Sequence, residues 1–372
     1  MLDLSIDISQ VDISIRNIVK KISTSKRISD SETLTLFNKA PNALLLSLAN
    51  AIREKHNGNN TFFNKNIHIE PTNICVLDCK FCSYSRLLKE KSQGWEHSID
   101  EMVDMVRKYK VDEITEVHIV GGVHPKMGLK YFIEVIKKIK KIRPNIHIKA
   151  FTAVELEYMC RKAKVSYKEG LKMLKKAGQN SLPGGGAEIF HKDIRDIICK
   201  DKCTAEQWLE IHETAHKIGM QSNATILYGH YEKTEHIIDH ISRIRKLQDK
   251  TGGFNAFIPL KYRNGNNQMS HLKEVSVIDD LRMYAIARIY FDNISHIKAY
   301  WPMIGKETTQ NLLAFGVDDI DGTIDDSTKI YSMAGAEDQN PKMSTEDITK
   351  LIKKVNRKPI ERDSIYNELK VY

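Results

Sequence analysis

Ile67-His68-Ile69-Glu70-Pro71-Thr72-Asn73-Ile74-Cys75-Val76-Leu77-Asp78-Cys79-Lys80-Phe81-Cys82 runs from a short β-branched stretch straight into three cysteines. The stretch predicts a strand over 66–70, so the cysteines sit on the loop leaving its C-terminal end. Their C-x3-C-x2-C spacing lets three thiolates hold three irons of a [4Fe–4S] cube. No further cysteine is near in sequence, so one iron stays open to a ligand, as in catalytic metal centres. A structural zinc normally takes four protein ligands, and His68, the one neighbour able to serve, lies inside the strand. The spacing therefore assigns Cys75, Cys79 and Cys82 to a cluster.

Outward from this loop, short apolar runs alternate with amphipathic helices. Strands are predicted at 66–70, 116–121, 146–152, 179–183, 222–228, 254–260, 295–301 and, weakly, 313–318. Helices are predicted near 98–109, 127–142, 154–177, 204–218, 233–250 and 277–291. Ser98-x-x-Glu101 and Thr204-x-x-Gln207 fit capping boxes, and Ala177-Gly178 fits a helix stop. Repeated β-then-α units imply parallel strands with right-handed crossovers. Their number favours an α/β fold of the (β/α)8 TIM type over an open doubly wound sheet. The expected organisation is an N-terminal helical cap (1–60), the barrel (61–324) and a C-terminal extension (325–372). Either flanking part is a candidate to close the barrel mouth.

The 372 residues carry a formal net charge of +9. Lys137-Lys138-Ile139-Lys140-Lys141 has helical spacing and reads as a solvated helix face. No aromatics interleave with basic residues, so a nucleic-acid platform is not expected. No apolar run is long enough to cross a membrane, and the acidic start lacks a signal-peptide pattern. The expectation is a soluble cytoplasmic chain with no membrane partner. Six unevenly placed cysteines do not form a disulfide framework. Cys160 reads as core, and Cys199 and Cys203 as structural.

Three strand ends carry further signals. Val120-Gly121-Gly122-Val123-His124-Pro125 ends the second strand, Pro183-Gly184-Gly185-Gly186-Ala187-Glu188 the fourth, and Thr225-Ile226-Leu227-Tyr228-Gly229-His230-Tyr231-Glu232 the fifth. Adjacent glycines let a backbone approach a ligand, although Gly-Gly alone is also a plain turn. A triple glycine followed by an acid is uncommon as a mere turn. His124 and His230 are catalytic candidates because each ends a strand, with a structural histidine as the equal alternative.

Together these segments resemble the radical S-adenosylmethionine (SAM) enzymes, with Phe81 as the aromatic of C-x3-C-x-aromatic-C. The resemblance implies that the open iron binds the amino and carboxylate groups of SAM. Reduction then yields methionine and a 5′-deoxyadenosyl radical. It implies that Gly121 and Gly122 meet the methionine amino group and that Glu188 bonds the ribose hydroxyls. It also places Gly229 and Glu232 of a G-x-I-x-G-x-x-E-like segment beside the adenine, with Thr225 where that motif has Gly. Pro259, in Phe257-Ile258-Pro259-Leu260, belongs by resemblance to the strand facing the adenine.

Segments 68–75, 119–125, 149–155, 182–190, 222–230, 251–260, 296–301 and 318–323 narrow the likeness to the aminofutalosine synthase family. Glu70 stands where that family would carry Asn. Cyclic dehypoxanthinyl futalosine synthases and deazaflavin (coenzyme F420 precursor) synthases are the near alternatives. The resemblance implies addition of the adenosyl radical to 3-[(1-carboxyvinyl)oxy]benzoate, with decarboxylation, giving 6-amino-6-deoxyfutalosine for menaquinone biosynthesis. It also implies a low-potential electron donor such as ferredoxin or flavodoxin. A small anionic aromatic substrate with two carboxylates needs cations at the barrel mouth, and Lys261, Arg263 and Lys298 are the candidates. A homodimer stays open. The reading from another class, an iron–sulfur electron-transfer protein, requires four-cysteine ligation and no glycine-rich strand ends.

Overall fold

The structure, a computed structural model, describes residues 8–325, 329–336 and 341–372. Strands β1 (Asn60–Phe63) and β2 (Asn66–Ile69) form one interrupted run. β3 (Ile74–Cys75) and β4 (Arg86–Leu87) pair within the cysteine loop. β5 (Glu116–Ile119), β6 (His147–Ala150), β7 (Ser222–Tyr228), β8 (Phe254–Lys261) and β9 (His296–Ala299) follow, then β10 (Asp319–Ile320) and β11 (Thr323–Asp325) as a last run. β2, β5 and β6 pair in parallel, with His68 beside His118 and His118 beside Lys149. A short extended segment at 181–182 bridges β6 to β7 through Lys149–Ser181 and Leu182–Ser222. β7, β8, β9 and β10 continue in parallel. β10 on β1 and β11 on β2 close the circle. Counting 181–182, this is the expected eight-membered barrel.

Hydrophobic patterning explains the closure. Ile67, Ile69, Val117, Ile119, Ile148 and Ala150 are buried on the helix-facing side of their strands. Their alternate neighbours Asn66, His68, Glu116, His118 and Lys149 line the lumen. Side chains alternate across a strand, so polar residues at every second position produce a polar lumen inside an apolar shell.

Helix boundaries follow their caps. Ser98–Glu101 and Thr204–Gln207 form the expected capping boxes, and Gly178 stops its helix with φ +119°. The expected helix over 154–177 is two helices, Ala153–Ala163 and Tyr167–Ala177. Lys164 turns left-handed (φ 55°, ψ 43°), and a Ser166–Glu169 box restarts the chain. The expected strand at 313–318 is a helix end (Lys306–Leu313) and a turn, and the strand begins at Asp319. Asp318 and Asp319 are charged yet fully buried. Arg288 and His296 hold the first, and Arg362 and Tyr366 hold the second.

Three helices (Ile13–Ser23, Asp30–Lys39, Asn42–Asn57) make up the N-terminal part. They pack on the flank, against helices Thr234–Thr251 and Val277–Tyr290. Arg282 fastens them by donating to Ala40 O at 2.9 Å. None of their residues lines the central cavity, so among the described residues nothing from this end closes the mouth. The tail does reach the mouth: Ile330, Tyr331 and Ala334 line the cavity. Beyond it, β12 (Lys358–Arg362) pairs in parallel with β1, and β13 (Glu368–Val371) pairs antiparallel with β12. Neither strand was expected.

Candidate functional site

A cavity of about 310 Å³ opens at the C-terminal ends of the strands, where barrel enzymes carry their sites. Cys75, Cys79 and Cys82 form part of its wall. The Cys75 sulfur accepts the N–H groups of Leu77 (3.4 Å) and Val123 (3.3 Å), and the Cys82 sulfur accepts that of Ser85 at 3.4 Å. Burial pushes the Cys75 and Cys79 thiols up, and Lys202 pulls both the other way. Three thiols on one loop, met by backbone N–H groups and a nearby cation, fit a cube held by three thiolates.

Gly121 and Gly122 lie on the cavity wall, but their immediate reason is the cysteine loop itself. A Cβ on Gly121 would stand 2.8 Å from Thr72 O, and one on Gly122 would stand 2.4 Å from Ile74 O. Gly122 N donates to Thr72 O at 2.7 Å. The paired glycines thus lock two loops together under the cluster. Gly184 plays the same part against β7, where a Cβ would meet the Asn223 carbonyl at 2.8 Å.

Glu188 sits in the wall with a left-handed backbone (φ 49°), beyond the triple glycine. Its carboxylate is paired with the Lys202 ammonium, which also lies 5.0 Å from the centre of the Phe81 ring. Lys202 was not foreseen; it follows the helix Lys192–Ile198 with no motif to mark it. Glu155 was also missed as a site residue. Both its oxygens are engaged: one accepts Gly121 N (3.2 Å), the other Thr152 N and Oγ1 (each 2.8 Å). Among the described residues it has no ion-pair partner, and burial pushes its carboxyl up to about 7.

The floor is polar. Lys149 donates to Glu116 at 2.7 Å and Lys298 to Asp321 at 2.5 Å, both pairs buried. Burial alone would raise the Glu116 and Asp321 carboxyls, but Lys149 and Lys298 outweigh it and hold both well below the usual range. The rings of His68 and His118 meet edge to face at 4.7 Å, and burial pushes the His118 imidazole well below its ordinary range. Period-two polar positions in otherwise apolar strands were the available sequence signal for this floor.

Glu232, His230, His124 and Pro259 do not line the cavity, whereas Lys261 and Arg263 do. Glu232 turns its carboxylate onto its own loop, accepting the N–H groups of Gly229 and of His230 (2.8 Å). His230 accepts Tyr231 N at 2.8 Å and meets Leu227 O at 3.1 Å, so both ring nitrogens are used locally. His124 is buried against Glu96 at 2.8 Å and caps Lys126 N at 3.1 Å. Pro259 gives its carbonyl to Tyr284, while Ile258 and Leu260 line the cavity. Lys261 lines the wall but spends its ammonium on Asp280 (2.9 Å) and Val275 O (2.8 Å). Arg263 faces the mouth, held by Glu274 at 3.2 Å and Gly335 O at 3.0 Å. All three anchor candidates line the cavity, and Lys261 has already given two of its three N–H donors to protein partners.

Cys160, Cys199 and Cys203 are buried. Lys137 and Lys141 are exposed on the polar side of Leu129–Ile142, as a solvated helix face requires. Among the described residues no helix is long and apolar enough to cross a membrane.

The profile of the Radical SAM superfamily matches residues 69–244, and that of the CofH/MqnC C-terminal region matches residues 251–371. The chain is 40% identical over 359 residues to the aminodeoxyfutalosine synthase of Thermus thermophilus, covering 95% of this chain and 96% of that protein. It is 35% identical over 358 residues to the cyclic dehypoxanthine futalosine synthase of Streptomyces coelicolor, covering 95% and 89%. The hydrogenase maturase HydG from Carboxydothermus hydrogenoformans shares the fold, with a TM-score of 0.74 at 18% identity over 95% of this chain and 80% of that one. On identity, span and fold together, the chain belongs to the radical SAM superfamily, in its aminodeoxyfutalosine synthase group, as a transferase-type enzyme using a [4Fe–4S] cluster and SAM.

Proposed function

We propose that the chain is a cytoplasmic aminofutalosine synthase that joins the adenosyl group of SAM to 3-[(1-carboxyvinyl)oxy]benzoate. The observation that carries this is the make-up of one cavity: a thiol triad in the wall, buried ammonium groups in the floor and aromatic rings at the mouth. When bound, the cluster supplies the electron that opens the C5′–S bond of SAM, and a low-potential ferredoxin or flavodoxin is its donor. In the net reaction C5′ bonds to the vinyl carbon and the aryl ring moves from oxygen to the adjacent carbon. That oxygen becomes the ketone and the carboxylate leaves as CO2. The electron used in cleavage returns at decarboxylation, so no outside oxidant is consumed.

The chain's own part is placement. Lys149 and Lys298 each have three N–H donors and give one to a floor carboxylate, leaving donors for a substrate carboxylate. Arg263 stands where the second carboxylate would reach the mouth. Tyr300 and Tyr331, 5.1 Å apart, offer an aromatic rim to the ring between them. The Phe81 ring and Lys202–Glu188 pair border the side nearest the cysteines. Glu188, with Gly121 and Gly122, is our assignment for the SAM side of the cavity.

The test is mass spectrometry of the products formed anaerobically from SAM and the enolpyruvyl benzoate. An adenosine-containing adduct of 6-amino-6-deoxyfutalosine mass is expected. 5′-Deoxyadenosine alone would transfer the chain to a hydrogen-abstracting relative such as the cyclic dehypoxanthine futalosine synthase. Lys298→Met and Arg263→Met should each raise KM for the benzoate at least several-fold; unchanged KM in both removes the anchoring assignment.

A further inference from the structure

Lys202 is a buried cation beside the thiol triad that has no step of its own in the reaction. Its backbone N–H donates to Cys199 O at 3.0 Å, in the turn that follows helix Lys192–Ile198. That turn is fastened to the cysteine loop, where Lys80 N donates to Ile198 O at 2.9 Å. The ammonium is thereby delivered to the cavity wall over Phe81, which lies between Cys79 and Cys82 in sequence. Glu188 closes on it from the end of the triple-glycine segment as a largely buried pair. Burial pushes the Cys79 thiol up, Lys202 pulls it down, and Glu188 pushes it up again. At Cys75, behind burial and the N–H groups of Leu77 and Val123, Lys202 again pulls down. Burial alone would lower the Lys202 ammonium, but Glu188 and Cys79 outweigh it and keep it charged. The two members of one pair thus act on the same thiol with opposite sign. A buried ion pair adds little net stability, so stability alone does not account for one at this place.

We propose that Lys202 and Glu188 are opposed charges that set the reduction potential of the cluster, an inference that rests on Cys75, Cys79 and Cys82 being its ligands. A cube held by three thiolates gains one negative charge when a donor reduces it. A neighbouring cation favours that reduced form, and a neighbouring carboxylate favours the oxidised one. Lys202 makes the site easier to charge with an electron. Glu188 keeps that electron from being held too firmly to be passed on. The face of the Phe81 ring holds the ammonium on the cysteine side, where its flexible stem would otherwise let it swing into the cavity. The backbone N–H groups on the Cys75 and Cys82 sulfurs also favour the reduced form, but a side-chain substitution leaves them in place.

A potentiometric titration of the reconstituted full-length protein, followed by the paramagnetic resonance of the reduced cluster, tests this without turnover. Lys202→Met should shift the balance toward the oxidised cluster by about tenfold, which is ~59 mV to lower potential for one electron. Glu188→Gln should shift it by a similar factor the other way. E188Q/K202M removes both charges and should return to within about threefold of wild type. Lys202→Arg keeps the charge and should also stay near wild type. Circular dichroism with iron and sulfide content confirms that each variant is folded and loaded. Where Lys202→Met does not load, Glu188→Gln still decides, since its potential must rise above that of wild type. Unmoved potentials in the single variants, or shifts of the same sign in both, overturn the proposal, because a merely structural pair has no reason to move them in opposite directions. A cluster retained by Cys79→Ala would overturn the ligand assignment beneath it, whereas unmoved potentials with the triad intact overturn the tuning alone.

Discussion

Lys202 holds its ammonium between the Glu188 carboxylate and the Phe81 ring, 5.0 Å from the ring centre, inside the cavity wall. Both charged groups are largely withdrawn from water, with side-chain exposures of 13% and 9%. Removing one partner of such a pair leaves a charge without compensation, at a cost of about 3–5 kcal/mol. Lys202→Met should therefore destabilise the cofactor-free chain strongly. The E188Q/K202M double variant should recover part of that loss, because no stranded carboxylate remains. Denaturant titrations under reducing conditions measure the coupling; strict additivity of the two single effects would show that the pair is not a unit.

The cysteine assignment separates cleanly by variant. Cys75→Ala, Cys79→Ala or Cys82→Ala should each lose iron, sulfide and SAM cleavage together. Cys199→Ala and Cys203→Ala, whose thiols are buried outside the triad, should keep near wild-type iron content. Iron and sulfide analysis after anaerobic reconstitution decides it. Full iron loading in Cys79→Ala would reassign the cluster.

The barrel was legible because β-branched runs and helix caps recur with the period of a β-then-α unit. The cluster was legible because its ligands are adjacent in sequence. What escaped was long-range. Lys202 reaches Glu188 only once helix Lys192–Ile198 folds back on the cysteine loop, where Lys80 N meets Ile198 O at 2.9 Å. The burial of Asp318 and Asp319 had no sequence signal, because their partners Arg288 and Arg362 lie 30 and 43 positions away. Glu232, expected beside the adenine, is consumed by its own turn. Spacing reveals which residues share an element, not which way a carboxylate faces.

Glu155 gives a pH signature. Burial holds its carboxyl at about 7, above the unfolded value of 4.5. Between those values the folded chain keeps a proton that the unfolded chain has lost, so stability from this group falls as pH rises from 4.5 to 7. The penalty is absent below that window and full above it, at most about 3 kcal/mol. Thermal melts of the cofactor-free protein should show Glu155→Gln gaining on wild type from pH 5 to 7, with no further gain to pH 8. A difference that stays flat over pH 5–7 would place the titration elsewhere.

Glu70 ties the first strand to the mouth. Both its carboxylate oxygens accept Lys329 N at 3.2 Å, at the start of the short helix Ile330–Met333 that carries Ile330 and Tyr331 into the cavity wall. Lys329 also sets its ammonium 5.3 Å from the Trp95 ring, and Gly265 N holds Ala334 O at 3.1 Å from the other side. A carboxylate at a helix N-terminus answers the free N–H groups there. Glu70→Gln keeps the shape but loses the charge and should loosen this wall while leaving the SAM side intact. The expected result is a several-fold rise in KM for the aromatic substrate, with more 5′-deoxyadenosine released per adduct as water and reductant reach the cavity. SAM affinity should hold within about twofold. An unchanged ratio of 5′-deoxyadenosine to adduct would show that the 329–336 segment does not shield the reaction.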